Sequence, residues 1–131
     1  MIWFLEGQSS QRDVIAGARA ALPETVRIFA SHRQNRPEIT GLADIGWREP
    51  LDNDARIAWV IEQARAQHIK VVLAGRVGQV YEAHRGEFEA AGLQLVTGAL
   101  DLDTFERVDD KSVFTREALT AGLACIPAIT V

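Results

Sequence analysis

The feature that most constrains this chain is a change of apolar period that recurs along it. Compact apolar runs at 2–5, 26–30, 71–74 and 93–96, with a weaker one at 43–47, each give way to a stretch with helical spacing. The runs read as buried strands. The stretches between them carry single-faced stripes: Val14, Ile15, Ala18, Ala21 and Leu22 up to Pro23, then Ile57, Val60, Ile61 and Ala64. A third stripe follows the fourth run, through Val80, Tyr81, His84, Phe88 and Ala91. Strands alternating with amphipathic helices make βαβ units, which need a mainly parallel sheet covered on both faces. The expected fold is therefore a Rossmann-like three-layer αβα domain of the α/β class.

Local signals place the helix ends. Ser9 or Ser10 precedes the first helix, and Asp13 follows Ser10 by three residues, the spacing of a capping box. Asp52 or Asn53 is suited to cap the long second helix. A short helical piece at 102–107 leads to Asp109-Asp110-Lys111, and a last helix runs through Phe114, Ala118 and Ala121 to Gly122. Pro127 then stiffens the approach to an expected strand at 128–131.

Composition narrows the function classes. A chain of 131 residues is one domain's worth, and fourteen basic against eighteen acidic residues leave a net charge of −4. That balance gives no electrostatic footprint for nucleic acid. No apolar run approaches the roughly 18 residues of a membrane span. The start, MIWFLEG, has no basic leader. Cys125 is the only cysteine, so no internal disulfide forms and a cytoplasmic setting is expected. Cys125, His32, His68 and His84 are scattered in sequence, and no metal centre is expected from them.

In open parallel sheets, ligands bind beyond the carboxyl ends of the strands. Three loops qualify. Gly7, Gln8, Ser9 and Ser10 follow the first strand and lead into a helix, where backbone amides suit an anion. A single glycine is not the G-x-G-x-x-G fingerprint, which argues against a nicotinamide-dependent oxidoreductase. The loop His32-Arg33-Gln34-Asn35-Arg36-Pro37 carries two arginines able to clamp a carboxylate or phosphate. Gly75-Arg76-Val77-Gly78-Gln79 combines an arginine with glycines that allow close approach of another backbone or a ligand. Glu6, Glu82 and the other carboxylates suggest no catalytic pair. Trp3, Trp47 and Trp59 read equally as core or as interface residues, for a further lobe or for a second copy in a homodimer.

One segment resembles a known family. AAGLQLVTGALDLDTFERVDDKSVFTREALTAGLACIPAI is similar to the end of the pre-ATP-grasp domain of ATP-grasp enzymes, in particular carbamoyl-phosphate synthase large chains and biotin carboxylases. The shared pattern is carried by Gly98, Asp110-Lys111, Phe114, Gly122 and Pro127, and Gly78-Gln79 looks like the Gly-Gln turn of the synthases. The first loop differs from the Asn-Arg-Gly-Glu type of biotin carboxylases. The resemblance implies a pre-ATP-grasp domain at 1–108, with 109–131 as a connecting helix and the start of an ATP-grasp domain whose two lobes clasp ATP and Mg²⁺. It implies that Lys111 reaches the nucleotide phosphates, and that Gly7, Gln8, Ser9, Arg33, Gly75, Arg76 and Gly78 wall a small-molecule carboxylate substrate. The whole enzyme would convert that carboxylate to an acylphosphate for attack by an amine or similar nucleophile, with the isolated chain inactive and holding no tightly bound cofactor. The competing expectation is a free-standing Rossmann-like module that binds a small anion or a partner without catalysis.

Overall fold

The computed structural model describes residues 1–126. They fall into two compact units, Met1–Thr97 and the described residues from Gly98 onward. The second unit takes in the helix Leu102–Asp109. The strand expected at 128–131, and Pro127 before it, lie outside the described residues.

The first unit runs β1 (Ile2–Phe4), α1 (Gln11–Ala21), β2 (Ile28–His32), α2 (Pro37–Thr40), β3 (Ile45–Arg48), α3 (Asn53–Ala66), β4 (Val71–Leu73), α4 (Gly78–Ala83), α5 (Arg85–Ala90) and β5 (Gln94–Val96). The five strands form one sheet in the order β3-β2-β1-β4-β5, and every pairing is parallel. The α/β, Rossmann-like expectation holds. Strand order reverses between β1 and β4, which makes their carboxyl ends the switch point of the sheet.

Each sheet face has its own core, because alternate strand residues point to opposite sides. Phe4, Ile28 and Ala30 meet Ile15 of α1 and Ile39 of α2 on one face. Trp3, Leu5, Phe29, Val72 and Leu95 meet α3, α4 and α5 on the other. The tryptophans belong to this second core. Trp3 is fully buried, with Trp47 and Trp59 packed edge-on against it at ring-centroid distances of 4.8 and 5.4 Å. Such geometry adds roughly 0.5–1.5 kcal/mol per pair beyond area burial.

Several boundaries differ from the sequence expectation, each for a local reason. The expected box at the start of α1 does not form. Ser10 is already helical at φ −63°, ψ −18° and makes no side-chain cap, while Gln11 N–H bonds the Gln8 carbonyl at 2.9 Å in a tight turn. β2 starts two residues late because Val26 N–H closes a turn onto Pro23. It then runs on through Ser31 and His32, both buried. The polar loop after it contains a helical turn, α2, begun by Pro37 and anchored by buried Ile39. The single helix expected after β4 is two, joined at His84. Asp52 caps α3 as expected, accepting from Ala55 N–H at 2.8 Å.

Close approach of two loops fixes the switch point. A Cβ on Gly75 would stand 2.8 Å from Gly7 Cα and 2.9 Å from the Glu6 carbonyl oxygen, both backbone atoms that cannot swing aside. Gly75→Ala is therefore expected to destabilise the domain by about 1–3 kcal/mol, read as a lower urea midpoint with unchanged slope.

Candidate functional site

A cleft of about 380 Å³ opens at the switch point. Its walls are the first loop, Gly7 to Ser10, with His32, Gln34 and Arg36 from the second loop and Arg76 from the third. No carboxylate lines it. On the other side of the first loop lies a more apolar hollow of about 310 Å³, floored by Phe4, Leu73 and Ala74 and rimmed by Gly75.

Each cation is held in place by its element. Arg36, just ahead of α2, donates from Nε to the Glu38 carboxylate and from Nη2 to Ser9 Oγ at 3.1 Å. The Glu38 carboxyl is held below its ordinary range, chiefly by that guanidinium. Arg76 is pinned through its backbone, its N–H bonding the Glu6 carbonyl at 2.6 Å. The next residue, Val77, takes a left-handed conformation with φ 53°, a strained state for a β-branched side chain. That turn delivers Arg76 to the cleft and Gly78 to the first turn of α4. His32 is 3% exposed; its Nδ1 accepts from Gln34 N–H at 2.9 Å, so in the neutral ring the proton sits on Nε2, 3.9 Å from Glu6.

Of the residues singled out in the sequence, Gly7, Gln8, Ser9 and Arg76 come together in this cleft, with Gly75 at the rim of the neighbouring hollow. Arg33 does not line it: its Nε donates to the buried Glu6 carboxylate. Gly78 is buried in α4. Lys111 belongs to the second unit, as the exposed first residue of α7 (Lys111–Thr120).

Behind the cleft stands a charge cluster that sequence reasoning missed. Glu6 and Glu49, from the ends of β1 and β3, are both buried side by side, a pairing that the sequence analysis did not foresee. Arg56 of α3, fully buried, reaches Glu6 at 3.4 Å and Glu49 at 3.8 Å, with its guanidinium over the Tyr81 ring. Glu49 also accepts from Glu6 N–H and Ser31 Oγ, each at 2.7 Å, and Ser31 Oγ in turn accepts from the Trp3 indole at 2.8 Å. A signal for Arg56 existed: positions 56, 60 and 64 share one helical face, which puts the arginine in phase with Val60 and Ala64.

In the second unit, Asp101 caps α6 (Leu102–Asp109) and Asp110 caps α7, the latter carboxylate accepting from Ser112 N–H at 2.8 Å and Val113 N–H at 3.1 Å. Asp110 is thereby committed to the helix end, and Lys111 has no ion-pair partner among the described residues.

The fold matches biotin carboxylase domains. One is that of the 2-oxoglutarate carboxylase of Hydrogenobacter thermophilus, a dimer in complex with MgADP, ADP and bicarbonate; the TM-score is 0.62 and the identity 12%, over 96% of this chain and 28% of that one. A second is the biotin carboxylase domain of a thermophilic 2-oxoglutarate carboxylase bound to bicarbonate, with the same score, identity and coverage of this chain and 29% of its own length. The chain thus spans little more than a quarter of the length of these chains. No protein-family model and no curated protein matches the sequence. No helix among the described residues is long and apolar enough to cross a membrane.

Two variants probe the cluster. Burial raises the Glu49 carboxyl above its ordinary value, outweighing the bonds from Ser31 and Glu6 that favour the anion. A raised folded-state value means stability is full below the unfolded pKa, about 4.3, and falls as pH rises through the folded one. Glu49→Gln lacks this titration, so its stability relative to the parent should improve as pH rises above about 4 in urea unfolding. Arg56→Met leaves both carboxylates without their buried cation and should cost about 3–5 kcal/mol.

Proposed function

We propose that this chain is the N-terminal, substrate-side domain of an ATP-grasp ligase that activates a carboxylate as an acylphosphate for attack by an amine or similar nucleophile. The observation that carries the reading is a cation-lined cleft at the switch point of a fold that biotin carboxylase domains also use. Fold similarity by itself assigns no chemistry. The cleft adds a place for an anionic substrate, at the strand ends where this architecture binds ligands.

In such a reaction a substrate carboxylate oxygen attacks the γ-phosphorus of ATP, the bond to the β-phosphate oxygen breaks, and ADP leaves. The nucleophile then displaces phosphate from the acyl carbon. Phosphoryl transfer needs positioning and positive charge more than covalent help from the protein. The first unit supplies the substrate wall. Lys111 supplies a point charge for the transferred phosphoryl group, its neighbour Asp110 being occupied as a helix cap. In this reading Mg²⁺ and most of ATP belong to ATP-grasp lobes outside the described residues. The bicarbonate and MgADP of the matched domain are compatible with this division of labour.

The test is ADP production by the natural protein with Mg²⁺ and a panel of carboxylates. Turnover should require a carboxylate, and Lys111→Ala should lower kcat by about a hundredfold with a smaller change in the carboxylate's KM. Carboxylate-independent ATP hydrolysis, or a Lys111→Ala variant with parental kcat, would contradict the assignment.

A further inference from the structure

The cleft presents two guanidiniums, Arg76 without a carboxylate partner among the described residues and Arg36 with Nη1 left open. We infer that it grips a second anionic group, at the end of the substrate remote from the carboxylate that is phosphorylated, so that the substrate is a phosphorylated or dicarboxylic acid rather than a simple monoacid. The inference rests on the ligase reading for the word substrate. The anion site itself stands on the geometry.

The first argument is the sorting of charge. Arg36 and Arg76 face the cleft beside His32, and no acid lines its walls. The nearby buried carboxylates are spoken for: Glu6 is held by Arg33 and Arg56, and Glu49 by Arg56, Ser31 and the Glu6 amide. Glu38 occupies Nε of Arg36, while Ser9 occupies Nη2. Those two bonds fix the plane of the guanidinium and leave Nη1 for a ligand. The Arg76 guanidinium has no carboxylate partner among the described residues, although its backbone is fixed by Glu6 and by the strained turn at Val77. A cation positioned at such cost and left without a counter-ion is arranged for an anion that arrives.

The second argument is division of labour. The reacting carboxylate must meet the γ-phosphorus in line, and it loses its charge as the acylphosphate forms. Two guanidiniums clamped on it would stabilise the ground state and oppose that step. Clamped on a remote anion they bind substrate and transition state alike and orient the reacting end. A volume of about 380 Å³ accommodates a phosphate or carboxylate with part of the carbon chain that carries it.

The experiment is a titration of the ¹⁵N-labelled chain with inorganic phosphate, succinate and acetate at constant ionic strength, followed by amide and imidazole shifts. Phosphate or succinate should give saturable shifts at Gln8, Ser9, Ser10, His32 and Gln34, with acetate much weaker. Phosphate as the tighter probe indicates a phosphorylated substrate, and succinate a dicarboxylic one. Arg76→Ala and Arg76→Gln should each weaken binding by about tenfold or more, while Arg12→Ala, on the outer face of α1, leaves it unchanged. Absence of saturable shifts with both dianions, or equal affinity for acetate, overturns the inference. The two claims fail separately. Carboxylate-dependent ATP turnover that prefers a monoacid and ignores Arg76→Ala keeps the ligase and rejects the remote anion. Dianion binding in the cleft of a protein with no carboxylate-dependent turnover keeps the anion site and rejects the ligase.

Discussion

Two carboxylates end up buried where β1 and β3 finish, and the domain is arranged around making that tolerable. Taking an ion pair out of water costs several kcal/mol per charge, and mutual attraction repays it only when the remaining lone pairs are also satisfied. Here the repayment comes from four elements at once. α3 brings Arg56, the second loop brings Arg33, β2 brings Ser31, and the backbone of β1's exit gives its own N–H to Glu49. Each contact ties a different segment to the strand ends. Trp3 joins through its indole N–H on Ser31, which couples the polar cluster to the aromatic core beneath it. A cluster of this kind adds little net stability against a well-packed apolar alternative. What it does fix is the relative placement of the exits of β1, β2 and β3, and the first two of these carry loops that wall the cleft.

The same cluster explains the electrostatics of the cleft. With Glu6 and Glu49 paired from behind, the surface in front of them carries arginines and neutral polar groups and no carboxylate. Arg33 and Arg36, three residues apart in one loop, are divided between the two tasks: one faces inward to Glu6, the other outward with Ser9. The turn at Gly75-Arg76-Val77 joins both tasks, since Arg76 N–H takes the Glu6 carbonyl while its side chain lines the cleft.

How much of this the sequence disclosed follows the range of the interactions involved. Strand and helix alternation is local, and it led to the right sheet type, the Asp52 cap and the three loops that meet at the switch point. Boundaries moved by a residue or two where turns such as Val26 to Pro23 competed with strand extension. α2 escaped notice because a four-residue helix has no period, and its anchor, Ile39, shows its meaning only once α1 lies beside it. Charge pairing was the least legible. Glu49 and Arg56 lie 43 and 50 positions after Glu6, so their meeting with it depends on the topology being known first. For Arg56 the helical phase was a usable signal; for Arg33 against Arg36, nothing in the order of residues says which one turns inward.

A match of 12% identity across nearly the whole chain means that the shape has been kept while almost every side chain differs. Shape in a parallel αβα domain is set by apolar period and crossover length, which many sequences satisfy. The strand-end loops are under no such constraint, because they lie outside the packed layers and change without disturbing them. Ligand choice therefore resides in those loops, and here they carry Arg36, Arg76 and a first loop containing a single glycine. The fold is shared with biotin carboxylase domains, while the loops give this chain a cleft with its own charge pattern. Both statements are compatible because they rest on different layers of one structure: the first on how strands and helices pack, the second on which cations the packing leaves facing the solvent.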